Sequence, residues 1–375
     1  MTSTSIVSEF KATLSELDTL FIGRKQEITG LALGTLSQHH VLLVGVPGTG
    51  KSALIKKWAE VLGVRVFDRL MTEFTTPDEL FGPVDLESYK TGVYRRIITG
   101  KAPDCELVFL DEVFKSSSSI LNSLLRLMQE REYDNDGTSI KTPLMLMVGA
   151  SNETPSPEDG LDAFYDRFLL RYEVRPMTDE DEIRRLLTTD ISKPVSPIPA
   201  DHVKQAQDEV ARMVFTEEAN NSIVALWEAL RDRSIRPSDR RLLAMKRVMA
   251  ADSWLQGFGT VMPESISVAR NILWSKSTEY GVVSELAQKS LNPYEDAVKE
   301  IVHHATVLKG DLAPGRTTRD DALEAIQSLV DMRGQLREIE QQAKGAQRTP
   351  VTAAIGRVET IRKAIGKDYL GLELV

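Results

Sequence analysis

The chain has 375 residues, 42% of them hydrophobic, which is too long for one ordinary domain and rich enough in apolar side chains for sizeable cores. Its formal net charge of −9 argues against a broad electrostatic grip on nucleic acid, because such binding rests on Lys and Arg neutralising phosphates. The single cysteine, Cys105, excludes an internal disulfide, no apolar run approaches the roughly 18 residues of a membrane span, and the N-terminus lacks a secretory layout, so a cytoplasmic setting is expected.

Phe10, Leu14, Leu17 and Leu20 are spaced as on a helix over residues 8–20, and residues 25–36 read as a second helix. Between them, just upstream of the first core strand, Ile22 and Gly23 have two readings: the wall of a base pocket, or plain packing. The adjacent pairs His39-His40 and His303-His304 are not expected to bind metal, since neighbouring side chains point apart and no Cys/His cluster supports them.

Residues 41–60, VLLVGVPGTGKSALIKKWAE, are an apolar strand, a glycine-rich turn and an amphipathic helix in succession. The turn, Gly45-Val46-Pro47-Gly48-Thr49-Gly50-Lys51-Ser52, is a complete P-loop. Its glycines let successive N–H groups converge on phosphate oxygens, and the new helix adds the positive end of its dipole. Lys51 is placed for the β- and γ-phosphates and the Ser52 hydroxyl for Mg²⁺, so ATP with Mg²⁺ is the expected ligand.

Residues 64–70 suit another core strand. Thr76 and Pro77 read as the cap and first turn of a helix, and residues 86–97 as a hairpin around Lys90-Thr91-Gly92, either decorative or substrate-facing. CELVFLDE, residues 105–112, is a continuous apolar strand ending in two carboxylates, as in a parallel strand covered on both faces. After a P-loop it reads as a Walker B strand: Asp111 for Mg²⁺ and Glu112 to polarise the attacking water.

Residues 120–131 form a helix with Leu121, Leu124, Leu125 and Met128 on one face, followed by a turn-rich projection over 133–142 that contains Asn135-Asp136-Gly137. The strand 144–150 brings Asn152 to the sheet edge of Asp111 and Glu112, where an amide senses the γ-phosphate or merely forms a turn. A short helix, 161–167, leads into a fifth strand, 168–174. Arg167 at its end is solvated in a monomer, or reaches a neighbour's γ-phosphate where active sites lie between subunits.

GVPGTGKS, LVFLDE, GASNE and YDRF, in this order, resemble an AAA+ ATPase, and TTPDELFGP, the insertion after it and QEREY resemble the MoxR branch, particularly its RavA-type members. The resemblance covers residues 21–274. It implies an α/β P-loop module with a parallel 5-1-4-3-2 sheet, an all-α lid, a homo-hexameric ring and ATP-driven remodelling of a protein substrate. It places residues near Lys90–Tyr94 and Asn135–Thr138 at the ring's centre or top, and it implies partners carrying von Willebrand factor A domains.

Thr178 reads as the cap of a helix over 179–187, and the prolines of 192–199 mark a mobile connection. Helices follow over 216–231 and 238–255. Ser238-Asp239-Arg240-Arg241 resembles the lid sensor of the family, an arginine touching the γ-phosphate of its own subunit, with Arg240 first and Arg241 as the alternative. Beyond Pro293, Ala322, Ala325, Leu329, Met332, Leu336, Ile339 and Ala343 form a seam. Val351, Ile355, Val358, Ile361 and Ile365 form a second stripe, with Thr349-Pro350 as its helix start, so an antiparallel hairpin is expected. The tail is short and helical, unlike that of RavA-type proteins. The expected domains are 1–176, the α/β module; 177–292, the lid; and 293–375, the C-terminal helical hairpin. A nucleic-acid motor and a nucleotide-dependent scaffold are the alternatives to a protein remodeller.

Overall fold

The computed structural model describes residues 3–155, 160–291, 294–312, 318–343 and 348–372. Two helices, α1 (Ser3–Leu20) and α2 (Lys25–Ser37), precede β1 (Val41–Val44), and α3 (Lys51–Leu62) returns to β2 (Val66–Leu70). Short helices α4 (Pro77–Phe81) and α5 (Leu86–Lys90) lead to β3 (Leu107–Asp111) and α6 (Ser118–Glu130). Then come β4 (Glu132–Asn135), β5 (Thr138–Lys141), β6 (Leu146–Ser151), α7 (Asp162–Tyr165) and β7 (Leu170–Glu173).

The five core strands are parallel, in the order β2-β3-β6-β1-β7. All residues of β1 and β6 are buried, which is why these strands read as unbroken apolar runs. Leu42, Val108, Leu110 and Met147 of the sheet pack with Leu121, Leu124 and Met128 of α6. Because every strand runs the same way, the P-loop, Asp111-Glu112 and Asn152 all leave the sheet at its carboxyl edge.

The segment expected as a hairpin over 86–97 is instead helical at α5. Asp85 accepts from Glu87 N at 3.2 Å and from Ser88 Oγ at 2.6 Å, a cap that commits the next turn to helix, and pairing shrinks to a single antiparallel bridge between Val84 and Arg96. The turn-rich projection is the true hairpin, β4–β5, closed by Asp136 and Gly137 at φ +61° and +71°. The two projections are joined: Tyr94 N donates to Asp136 Oδ1 at 3.0 Å, and Asn135 exchanges hydrogen bonds with the Arg96 backbone at 2.8 and 3.1 Å.

Next come α8 (Glu180–Thr188), α9 (Ala200–Arg212), α10 (Glu217–Asp232) and α11 (Asp239–Gln256). Asp179, not Thr178, caps α8, accepting from Glu182 N at 3.0 Å. The proline segment is anchored rather than mobile. Ser196 N and Oγ donate to Glu16 at 2.8 Å each, and Ile198 is buried. The helix α9, which the sequence reading passed over, packs with α11 against α1 and α2. Phe10 of α1 meets Trp254 of α11 edge-on at 5.4 Å. The lid helices and the N-terminal helices therefore share one packed layer.

The chain divides into two compact units, Met1–Ser284 and Glu285–Val375, the division falling in α12 (Tyr280–Leu291). The expected boundary at 292/293 lies outside the described residues. The second unit holds α13 (Glu295–Asp311), α14 (Arg319–Gln342) and α15 (Arg348–Leu370). Thr352 bonds Glu340 at 2.6 Å and Arg333 bonds Glu359 at 3.0 Å, the crossing register of antiparallel helices. Among the described residues the core of this unit is built from three helices, where a two-helix hairpin was expected: Val298 and Ala305 of α13 join Leu329, Leu336, Val351 and Val358. Thr349 and Pro350 lie within the first turn of α15, which begins at Arg348, two positions before the expected first helical residue. Among the described residues no helix is long and apolar enough to cross a membrane.

Candidate nucleotide site

Gly48 and Gly50 sit at φ +79° and +81°, the left-handed region that side chains resist, and this aims the loop's N–H groups inward. Gly45 needs its missing Cβ for another reason: a side chain there would strike the Val174 carbonyl. Its own N–H donates to Ser151 O at 2.9 Å, fastening the loop to the end of β6. Lys51 Nζ folds back on Gly45 O at 2.6 Å and Val46 O at 3.0 Å. Burial holds the ammonium below its ordinary range, while Asp111 and Glu112 pull the other way, so these two acids face the lysine across the end of β6.

Glu112 adopts a left-handed backbone at φ +52°, a costly conformation for a glutamate. Its Oε1 accepts from Asn152 Nδ2 at 2.6 Å, and Oε2 lies 3.4 Å from Lys115 Nζ. Its N–H donates to Asp111 Oδ1 at 3.0 Å. The strain turns the carboxylate from the line of β3 toward β6, so Asn152 and Glu112 form one unit. The strand order accounts for this, because β6 lies between β1 and β3.

A cavity of about 480 Å³ opens beside the loop, lined by Ile22, Pro47, Gly48, Thr49, Gly50 and Ala53 on one side and Met177, Ile183, Leu186 and Ile191 on the other. It has the size and apolar walls that a purine base requires. Ile22 is part of it; Gly23 lines the neighbouring cavity instead. The sequence reading missed three features. Arg24, 8% exposed, donates to Thr49 O at 3.1 Å and Arg175 O at 3.0 Å, bracing the crest of the loop. Met177 and Ile191 complete the wall. The helix α8 has no buried residue although Ile183, Leu186 and Leu187 share a face, and that unpartnered stripe was the available signal.

Arg167 and Arg240 lie elsewhere. Arg167 precedes Leu170, which pairs with Val41 at the start of β1, so it occupies the amino edge of the sheet, opposite the P-loop. Arg240 lines the same amino-edge cavity, together with Arg167, His39 and His40. The sequence reading set Arg240 beside its own subunit's phosphates; the structure groups it with Arg167 instead. Arg241 is buried, donates to Trp274 O at 3.1 Å and pairs with Asp166 at 3.5 Å, so it holds the start of α11 to the turn before β7.

Magnesium and a triphosphate fit these residues. The left-handed glycines form the cradle, Lys51 lies against loop carbonyls that a phosphate would replace, and Ser52 and Asp111 offer the oxygens that Mg²⁺ prefers. Both ring nitrogens of His40 are engaged within the chain: Nδ1 accepts from Met147 N at 3.0 Å and Nε2 donates to Met128 O at 2.9 Å. Among the described residues no His/Cys/Asp/Glu cluster could hold a metal by itself.

Residues 8–213 match the family model described as the MoxR domain in the MoxR-vWA-beta-propeller ternary systems. Two uncharacterized proteins of Methanocaldococcus jannaschii are similar. One is 35% identical over 271 residues, 72% of each chain; the other is 33% identical over 309 residues, 82% of this chain and 81% of that one. The chaperone MoxR1 of Mycobacterium tuberculosis is 29% identical over 188 residues, 47% of each chain. A crystal structure from Cytophaga hutchinsonii, provisionally described as an ATPase, superposes with a TM-score of 0.63 at 20% identity, covering 76% of this chain and 96% of its own, and shows the same fold. With its α/β sheet, its P-loop and the match over residues 8–213, the chain belongs to the MoxR family of AAA+ ATPases.

Proposed function

We propose that this chain hydrolyses ATP in a homo-hexameric ring and uses the cycle to remodel or activate a protein partner. The observation that carries the proposal is the Asn152–Glu112 hydrogen bond at 2.6 Å, set between the P-loop and Asp111. The loop N–H groups and Lys51 would hold the phosphates, and Ser52 and Asp111 would hold Mg²⁺, which would supply charge neutralisation there. Asn152 fixes Oε1 of Glu112, and Oε2, which has only the exposed Lys115 ammonium at 3.4 Å, is the oxygen that takes the proton of the attacking water.

Arg167 and Arg240, at the opposite sheet edge, act on the neighbouring subunit's γ-phosphate. The carboxyl edge carries Asp111, Glu112 and Glu153 and the amino edge carries Arg131, Arg167, Arg240 and Arg247, which favours head-to-tail contact between copies, the kind of contact from which a closed ring is built. The joined projections of α5 and β4–β5 expose Leu86, Tyr89 and Tyr94 and form the face offered to the partner. A von Willebrand factor A domain protein is the partner class favoured by the matched family's description. Within the family the motif likeness favours a RavA-type member, and a cytoplasmic setting follows from the same reading.

The test is steady-state phosphate release with mixed rings. Arg167→Ala and Glu112→Gln chains should each bind ATP and turn over poorly, and mixing them should restore activity, because a Glu112→Gln subunit still supplies its arginine to an Arg167→Ala neighbour. Full activity of Arg167→Ala alone would remove the shared site.

A further inference from the structure

The amino edge of the sheet, α9 and α11 enclose a cavity of about 680 Å³, remote from the P-loop. Arg131, Arg167, Lys204, Arg240 and Arg247 line it, against two carboxylates, Glu106 and Asp208. Glu106 is already bonded to Arg65 at 2.9 Å. The guanidiniums repel one another. Arg131 is lowered to about 10 by burial and Arg247, and Arg167 is lowered by burial and Arg240. His39, in the same wall, is pushed down to about 4 by burial, Arg247 and Arg131. The Nε atoms of Arg167 and Arg247 are shut off from solvent and have no hydrogen-bond partner among the described residues.

Five cations facing two carboxylates, one of them already paired with Arg65, cost free energy, and the two shut-off Nε donors add to that cost. A polyanion removes both costs at once, since arginine forks bind phosphate oxygens with strong charge-assisted bonds. A neighbour's γ-phosphate alone engages two arginines and leaves Arg131, Arg247 and Lys204 without an anion; Arg131 donates to the neutral carbonyls of Met128 and Gln38, and Arg247 to Gln38 Oε1 at 2.7 Å, which satisfies donors but not charge. Arg240 and Arg247 are seven residues apart on α11 and so lie on one face two turns apart, a spacing that suits several phosphates in a row.

We propose that this cavity is a second anion site, separate from the P-loop, for a triphosphate group. It goes beyond the ring reading, because a single chain supplies every ligand group. Occupancy would withhold Arg167 and Arg240 from the adjoining subunit and lower turnover; that consequence, unlike binding, rests on the ring reading.

The experiment titrates inorganic tripolyphosphate, and separately ATP, into the full chain carrying Lys51→Ala, which disables the P-loop, at about 150 mM salt to screen loose surface binding. One tripolyphosphate per chain is expected. Arg247→Met in that background should weaken binding by about tenfold or more, and Arg247→Lys by less. If Arg247→Met unfolds the chain, Lys204→Met, at an exposed position, should weaken binding several-fold instead. Binding of both probes at one site supports the triphosphate of a nucleotide as ligand, and binding of tripolyphosphate alone supports a free polyphosphate. Binding of neither, or binding that these variants leave unchanged, overturns the proposal. Loss of ATPase activity in the wild-type chain would overturn the ring reading and leave this titration unaffected.

Discussion

The Asn152–Glu112 contact makes a quantitative prediction. Glu112→Gln keeps the size and the left-handed backbone demand of residue 112 but removes the proton acceptor, so turnover should fall by about 10²- to 10⁴-fold. That corresponds to roughly 3–5 kcal/mol of barrier. Asn152→Ala deletes a charge-assisted bond of 2.6 Å at an exposed position, so the low end of the range applies, about 1–2 kcal/mol, or roughly five- to thirtyfold. If Asn152 works by holding Glu112, the double variant should be scarcely slower than Glu112→Gln alone, and the coupling should equal nearly the whole Asn152 effect. Phosphate release at saturating ATP, with a fluorescent nucleotide to show that binding is kept within about threefold, measures the cycle. Two independent losses that multiply, or normal turnover in Glu112→Gln, would refute the reasoning.

Arg24→Met should leave the Thr49 and Arg175 carbonyls without their donor, weaken nucleotide binding on the order of tenfold and destabilise the fold by about 1–3 kcal/mol; undisturbed affinity in an equilibrium titration would show that the brace is idle. Acid should destabilise the first unit through His39 and His40, both held below 6.5 chiefly by burial. Below 6.5 the unfolded chain binds protons that the folded chain refuses, so stability falls with pH from about 6.5 toward about 4 for His39, and His40 adds to the loss in the same direction. In urea unfolding between neutral and mildly acid pH, His39→Gln should flatten the slope, by up to about 1.4 kcal/mol per pH unit; an unchanged slope would remove His39 from the account.

The chemistry of the carboxyl edge was legible in the sequence because it is local. Residues 45–52 spell a backbone shape, and the CELVFLDE run spells a buried strand ending in acids. Neither depends on what packs nearby. The 86–97 segment misled because one cap, Asp85, outweighed a hairpin-like turn; the third helix of the second unit was legible in the helical spacing of Val298, Ile301, Val302, Ala305 and Leu308 and was passed over.

By itself the sequence determined that a P-loop, a pair of acids and the amide of Asn152 would leave parallel strands at one edge, since strand direction and motif order suffice for that. Only the tertiary structure decided that Glu112 and Asn152 touch, that α8 lends its apolar stripe to the cavity beside the P-loop, and that Arg240 stands with Arg167 at the opposite edge. Those outcomes depend on which strand is inserted between which and on where α11 docks against α2. Such long-range choices are set by the packing of many small apolar contacts, and no short stretch of the chain encodes them.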